Sequence, residues 1–229
     1  MHIDLNADLG EGVGRDAELL ELVTSANVCG GLHAGTASGI AATIRAAQAR
    51  GVVVGAHPGF ADRANFGRVE QPVSPDDVFA LVVYQLGALN ALANGVKYVK
   101  PHGALYHQTN RDAALAGALI EAAGRFGDMP IVGLPNSALE TACRSRGRAF
   151  VREGYADRRY RPDGTLVPRS EPDAFVHDPV EAVEQVERLI REHAVRTVCV
   201  HGDNPEAVAF ARVVRAALLA RGFALVPFA

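Results

Sequence analysis

Six short apolar segments, spread along the whole chain, each run into a polar, titratable or glycine-rich ending, and this repetition constrains the fold more than any other property. His2-Ile3-Asp4-Leu5 leads into Asn6-Ala7-Asp8-Leu9-Gly10-Glu11, and Ala26-Asn27-Val28-Cys29 into Gly30-Gly31-Leu32-His33. Val52 to Ala56 delivers His57-Pro58, and Tyr98-Val99 delivers Lys100-Pro101-His102-Gly103. Ala149 to Arg152 runs into Glu153 and then Ala156-Asp157-Arg158, while Thr197 to Val200 runs into His201-Gly202-Asp203. One such ending is noise. Six suggest the C-terminal ends of several parallel strands converging on one site, as in barrels of alternating strands and helices. An open doubly wound sheet would concentrate its ligand contacts at one switch point. The expected architecture is therefore α/β, an irregular TIM-like (β/α) barrel of seven or eight strands, with residues 1–229 as a single domain.

Periodicity and punctuation fill in the elements. The first segment alternates, with Asp4, Asn6 and Asp8 on one parity and Ile3 and Leu5 on the other, so aliphatics face covering helices and polar groups face the barrel interior. Buried polar groups in series are costly unless satisfied, so these three belong to a network, around a metal or, for Asp4, as a structural hydrogen-bond ladder. The apolar run 52–56 suits a parallel strand covered on both faces. Ser74-Pro75-Asp76-Asp77 combines a serine cap, a proline at the first helical position and an acid at the third, predicting a helix to about residue 94. Further helices are predicted at 38–50, 112–126 and 137–146, and after Asp178-Pro179 and Asn204-Pro205. Strands are predicted at 98–100, 131–134, 149–152, 197–200 and 224–226. Residues 59–68 read as a loop over the site, with Asp62, Arg63 and Arg68 as candidate contacts. Residues 153–169, with their Pro-Asp-Gly turn, read as a hairpin excursion.

Composition narrows the partners. Of 23 cationic side chains only Lys97 and Lys100 are lysines, and the formal net charge of -3 leaves no basic stripe, so nucleic acid and anionic membranes are poor partners. No uninterrupted apolar run approaches the roughly 20 residues of a membrane span and no leader pattern opens the chain, so a cytoplasmic location is expected. Cys29, Cys143 and Cys199 are too few and too scattered for a disulfide frame or a structural zinc site, and small buried hydrophobes are their expected role. No Gly-x-x-x-x-Gly-Lys-Ser/Thr motif is present, which removes a Walker-type nucleotide loop.

Several blocks together resemble the LamB/YcsF family. They are Asp4 to Glu11, Ser25-Ala26-Asn27 through His33-Ala34-Gly35, Gly55-Ala56-His57-Pro58, Phe66-Gly67-Arg68, Lys100-Pro101-His102-Gly103-Ala104-Leu105-Tyr106, Glu153 with Ala156-Asp157-Arg158 and Tyr160, Leu166 to Arg169, and His201-Gly202-Asp203. Two departures stand out. Ala7 occupies a position where the family pattern has cysteine, which argues against cysteine chemistry there, and Thr36-Ala37 replaces an Asp-Pro, which removes an acid beside His33. The resemblance implies a barrel of the glycoside hydrolase/deacetylase type and the A subunit of an ATP-dependent 5-oxoprolinase working with two other subunits, of B and C type. The implied reaction converts 5-oxo-L-proline, ATP and water to L-glutamate, ADP and phosphate.

A five-membered lactam is resonance-stabilised, so the role expected of ATP is to phosphorylate its amide oxygen and make the ring carbon electrophilic. Such a site needs a cation for the phosphoryl group, a base for water, donors for the oxyanion and an anchor for the substrate carboxylate. The candidate catalytic residues are Asp8, Lys100, His102 and Glu153, with Lys100 stabilising developing charge and Asp8 or Glu153 as base. Asn6, Glu11, Asn27, Arg68, Asp157, Arg158, His201 and Asp203 are candidates for binding substrate or phosphate. A divalent metal, if held, would fall to Asp8, His33 and His57. Two other readings stay open: a metal-dependent deacetylase or amidase acting without ATP, and a non-catalytic scaffold for partner subunits.

Overall fold

The structure is a computed structural model and describes residues 1–200 and 206–229. Six strands, β1 (His2–Leu9), β2 (Ser25–Cys29), β3 (Val53–His57), β4 (Ile131–Gly133), β5 (Phe150–Tyr155) and β6 (Thr197–Val200), form one parallel sheet in the order β3-β2-β1-β6-β5-β4. A short β7 (Ala224–Leu225) pairs with the start of β1. The two ends of the sheet are joined through residues 97–100. Lys97 N and Lys100 N donate to the carbonyls of Val54 and Ala56, and Val99 exchanges backbone bonds with Pro130 and Val132 on the other side. The sheet thus curls into an irregular barrel. The strand predicted at 98–100 is reduced to a single residue, Val99, bridging both neighbours, because Pro101 has no N–H to continue the pairing.

Eight helices surround the sheet among the described residues: α1 (Asp16–Leu19), α2 (Ala37–Ala49), α3 (Pro75–Ala93), α4 (Gly103–Arg111), α5 (Ala113–Gly124), α6 (Ala138–Ser145), α7 (Pro179–His193) and α8 (Ala207–Ala220). The Ser74 capping box forms as its sequence predicts, with the Ser74 hydroxyl and the Asp77 carboxylate exchanging bonds with each other's backbone N–H. α3 is long and apolar enough to cross a membrane by composition. In the fold its Val78, Val82, Leu86 and Leu89 are buried in the core, and it packs against α5. Two helices escape the sequence reading. α1 is a single turn, and α4 begins at His102 without a side-chain cap, so no start signal precedes it. Gly103 enters α4 at φ +51, and a Cβ there would lie 2.6 Å from the Gly67 carbonyl oxygen.

Strand parity separates two interiors. Ile3, Leu5, Ala7 and Leu9 belong to the large apolar core between sheet and helices. The opposite face of β1 carries Asp4, Asn6 and Asp8 into the barrel, where they hydrogen-bond with Ser25, Asn27, Lys100, Glu153 and Thr197, and Tyr98 donates to Asn27. Tyr98 fills the lower barrel and packs beside Val132 and Val151. Its ring lies where a side chain at Gly55 would be, since a Cβ there would stand 2.2 Å from the ring. β5 extends to Tyr155, two residues past Glu153, so Glu153 is an interior strand residue and not the start of a loop. The predicted excursion begins after it, with antiparallel bridges pairing Arg158 with Phe175 and Tyr160 with Leu166.

Candidate active site

The barrel interior is built upward from Asp4. Its Oδ1 accepts hydroxyl bonds from Thr24 and Ser25, both at 2.6 Å, and its Oδ2 accepts one from Thr197. Burial pushes the Asp4 carboxyl up, and these three hydroxyls hold it back. One layer higher, Asn27 donates through Nδ2 to Asn6 Oδ1 at 2.6 Å and Asp8 Oδ1 at 2.8 Å, while its own Oδ1 accepts from the Tyr98 hydroxyl at 2.7 Å. Asn6 Nδ2 donates to Thr197 Oγ1 at 2.6 Å and to Glu153 Oε1 at 3.2 Å.

Lys100 is the centre of this network and is 1% exposed. Its Nζ lies 2.9 Å from Glu153 Oε1, 3.0 Å from Asp8 Oδ1, 3.3 Å from Asn6 Oδ1 and 3.1 Å from Cys199 Sγ. Burial alone would pull the ammonium down, but Asp8, Cys199 and Glu153 together hold it well above the usual lysine range. A buried charge is tolerated only when paired, and here one cation faces two carboxylates. Glu153 is fully buried, with Oε1 on Lys100 and Asn6 and Oε2 accepting from the Tyr155 hydroxyl at 3.0 Å. Its expected role as base is therefore corrected to that of counter-ion, since no oxygen reaches the cavity. Asp8 is different. It is 9% exposed and lines the cavity while Lys100 and Asn27 hold its Oδ1.

Three imidazoles crown the network. His57 Nδ1 donates to the Lys100 carbonyl at 2.7 Å and His102 Nε2 to the Phe66 carbonyl at 2.8 Å, because a carbonyl oxygen can only accept. That fixes both tautomers and leaves His57 Nε2 and His102 Nδ1 facing each other at 2.9 Å, with Asp8 Oδ2 at 3.3 Å from the former. Two neutral rings so arranged oppose two lone pairs, and the gap calls for a shared proton or a cation. Burial and the neighbouring imidazoles hold His102 well below the ordinary histidine range, and burial holds His33 down to about 3. His33 stacks on His102 with ring centroids 3.9 Å apart, and its Nε2 lies 3.1 Å from Glu11 Oε1. Two overlapping donor sets result, Asp8 with His57 and His102, and Glu11 with His33 and His102. The donors fit a divalent metal, but the first set takes His102 where the sequence suggested His33, because His33 is turned toward Glu11.

Above Asp8 and Lys100 opens a cavity of about 810 Å³. Its lining carries Arg68, Arg111, Arg158, Arg161 and Arg169 beside Glu70 and Asp163, with Arg111 paired to Glu70 and Arg161 to Glu171, so the vestibule keeps an excess of positive charge. Arg68 lies over the Phe66 ring at 4.8 Å. Arg158 reaches the wall but spends Nε and Nη2 on the carbonyls of Ala174 and Val167, clasping the excursion. Arg63, read as a substrate contact, instead ties the 59–68 loop to the carbonyls of Gly31 and Gly35.

Several candidates stand behind the wall and not on it. Asn6 and Asn27 are buried framework under Lys100, so their expected substrate contacts are corrected to support of Asp8 and Lys100. Glu11 turns to His33 and borders a second cavity of about 540 Å³. Asp157 is buried beside the excursion, its carbonyl accepting from Val176 N. His201 and Asp203 lie outside the described residues. Missed by the sequence reading were Tyr98, Tyr155, Thr197 and Cys199 as members of the network. Strand parity places Thr197 and Cys199 on one face of β6 and could have found them, although Cys199 by itself passes for a plain apolar residue.

The chain matches the LamB/YcsF family over residues 3–229. It is 46% identical to the 5-oxoprolinase A subunit of Methylococcus capsulatus, covering 96% of this chain and 93% of that one. It is 47% identical to the 5-oxoprolinase A subunit of Paracidovorax citrulli, each chain covered completely. Among solved structures, the lactam utilization protein from Thermus thermophilus superposes with a TM-score of 0.91 at 39% identity over the full length of both. A family 4 carbohydrate esterase from Streptomyces lividans superposes with a TM-score of 0.57 at 13% identity, covering 100% of this chain and 93% of that one, a likeness of fold alone.

Proposed function

The chain belongs to the LamB/YcsF family, and on that premise we propose that it is the A subunit of an ATP-dependent 5-oxoprolinase, a cyclic amide hydrolase opening 5-oxo-L-proline to L-glutamate. Full-length likeness to relatives of that name supports the substrate. The observation that carries the chemistry is Asp8 lining a cavity with its Oδ1 held 3.0 Å from the buried Lys100 ammonium.

In this reading water attacks the lactam carbon and Asp8 takes its proton, because Asp8 and not Glu153 reaches the cavity. Lys100, kept cationic by two carboxylates, stabilises charge gathering on the lactam oxygen or on a phosphoryl group attached to it. Arg68 in the vestibule supplies charge for the substrate carboxylate. His57 Nε2 and His102 Nδ1, which face each other at 2.9 Å, would hold a divalent cation, and such an ion would supply Lewis acidity beside Asp8 when bound. ATP is the co-substrate, two further subunits of B and C type complete the enzyme, and the assembly works in the cytoplasm.

The test is glutamate release from 5-oxoproline by the chain mixed with both partner subunits, with and without ATP, beside the chain alone with zinc or manganese and no nucleotide. Glutamate is expected only from the complete mixture with ATP. Release by the lone chain with metal would replace this reading with an ATP-independent amidase, and no release in any mixture would end it.

A further inference from the structure

α3 and α7 are both long surface helices, and they expose side chains at the same spacing. α7 turns out Glu184, Arg188, Arg191 and Glu192, whereas α3 turns out Tyr84, Ala88, Ala91 and Leu92. The first set is what water selects on an outward helix face. The second is not. After Asp77 the chain carries no charged residue until Lys97, and Tyr84 and Leu92 are 68% and 46% exposed. A helix that is apolar on every side belongs where something covers it, yet the core takes only the side bearing Val78, Val82, Leu86 and Leu89.

Two further features say what covers it. The outward side is low except at one point: Ala80, Gly87, Ala88 and Ala91 lie one turn or two from the projecting Tyr84 ring. Small residues let a second helix approach to the short end of the usual interaxial range of about 8–10 Å. The two ends of the face carry opposite charge. Asp76 and Asp77 are exposed in the first turn, and Lys97 is exposed just past the last. A face with a knob, a shallow floor beside it and unlike charges at its ends is complementary to itself turned end for end. A bilayer would gain little from a floor of alanines, whose side chains bury little apolar area.

We propose that this face of α3 is an interface with a second copy of the chain, the two α3 helices running antiparallel about a two-fold axis near Gly87. Tyr84 of each copy packs over Ala88 and Ala91 of the other, and Asp76 lies beside the other's Lys97. The antiparallel sense also sets the positive N-terminal end of each helix beside the negative C-terminal end of the other. This pairing owes nothing to the reaction, so it and the 5-oxoprolinase reading fail separately.

The test is the mass of the full chain in solution, by sedimentation velocity up to about 100 μM. Wild type is expected at twice its 24.2 kDa. Tyr84→Lys is expected at the single mass, with Kd raised at least about 100-fold because an anchor is lost from both sides at once. Circular dichroism melts check that this exposed substitution leaves the fold intact. Charge exchange reads the antiparallel sense without touching the apolar contact. Asp76→Lys alone and Lys97→Glu alone should each raise Kd about tenfold, and an equimolar mixture of the two should return to within about threefold of wild type, because both unlike pairs re-form. A wild-type chain that stays monomeric overturns the proposal, and Tyr84→Lys then separates a partner subunit from a phosphatidylcholine vesicle as the cover, by which binding it loses. A dimer indifferent to Tyr84→Lys, or a mixture no tighter than either charge variant alone, overturns it as well.

Discussion

Asp4 and Asp8 sit four residues apart on the same face of β1, and the barrel uses them in opposite ways. Asp4 is 1% exposed and closed off by three hydroxyls, so it behaves as a knot tying β1 to the start of β2 and to β6. Asp8 shares Oδ1 between an ammonium and an amide and faces a cavity. The residue type and the inward orientation are equal. What differs is height along the strand: the lower layer is filled by side chains from neighbouring strands, whereas at the C-terminal rim the neighbours end in lysine and imidazole. A carboxylate in a parallel barrel is thus structural or reactive according to which layer it reaches.

The largest effect should follow from removing what joins the two layers. Lys100→Met strands Glu153 and Asp8 without their cation, and breaking a buried pair typically costs about 3–5 kcal/mol. Turnover of 5-oxoproline should drop several hundredfold, with the stability loss read from denaturant midpoints. If stability holds, the two carboxylates are not compensated by Lys100. Asp4→Ala removes the acceptor of three buried hydroxyls and should cost about 3 kcal/mol of unfolding free energy. A cost under about 1 kcal/mol would show the lower knot to be replaceable and dissolve the contrast.

Acid sensitivity should arise at the Asp8 end. His33 and His102 stay neutral in the fold while the unfolded chain takes up protons below pH 6.5, so the unfolded state binds more protons there. For His33 stability therefore falls as pH falls from 6.5 toward about 3, by up to about 1.4 kcal/mol per pH unit, and His102 acts in the same direction. Chemical unfolding at pH 6 and pH 5 checks this, and His33→Gln should flatten the slope. An unchanged slope would locate the acid sensitivity elsewhere.

Much of this was legible from residue order because barrel topology converts short local patterns into a shared rim. The alternation Asp4-Leu5-Asn6-Ala7-Asp8 announced an inward polar face, and the segment endings announced Lys100, His57 and His102. The division of labour was not legible. Whether Glu153 is a base or a counter-ion depends on β5 running two residues further and on a hydroxyl from Tyr155, neither visible in local sequence. Tyr98, which donates to Asn27 across the barrel, is set by closure through Val99, a contact spanning 71 residues. α4 was missed because its cap position is a histidine without a capping bond.

The central claim is that one face of β1 carries a structural carboxylate and a reactive one, and a paired assay reads this directly. Glutamate release per folded molecule is measured for Asp4→Ala and Asp8→Ala chains in the complete enzyme, with folding checked by circular dichroism. Asp4→Ala should turn over within about threefold of wild type per folded molecule, while Asp8→Ala should stay folded and lose several hundredfold. Near-normal turnover by folded Asp8→Ala would contradict the account.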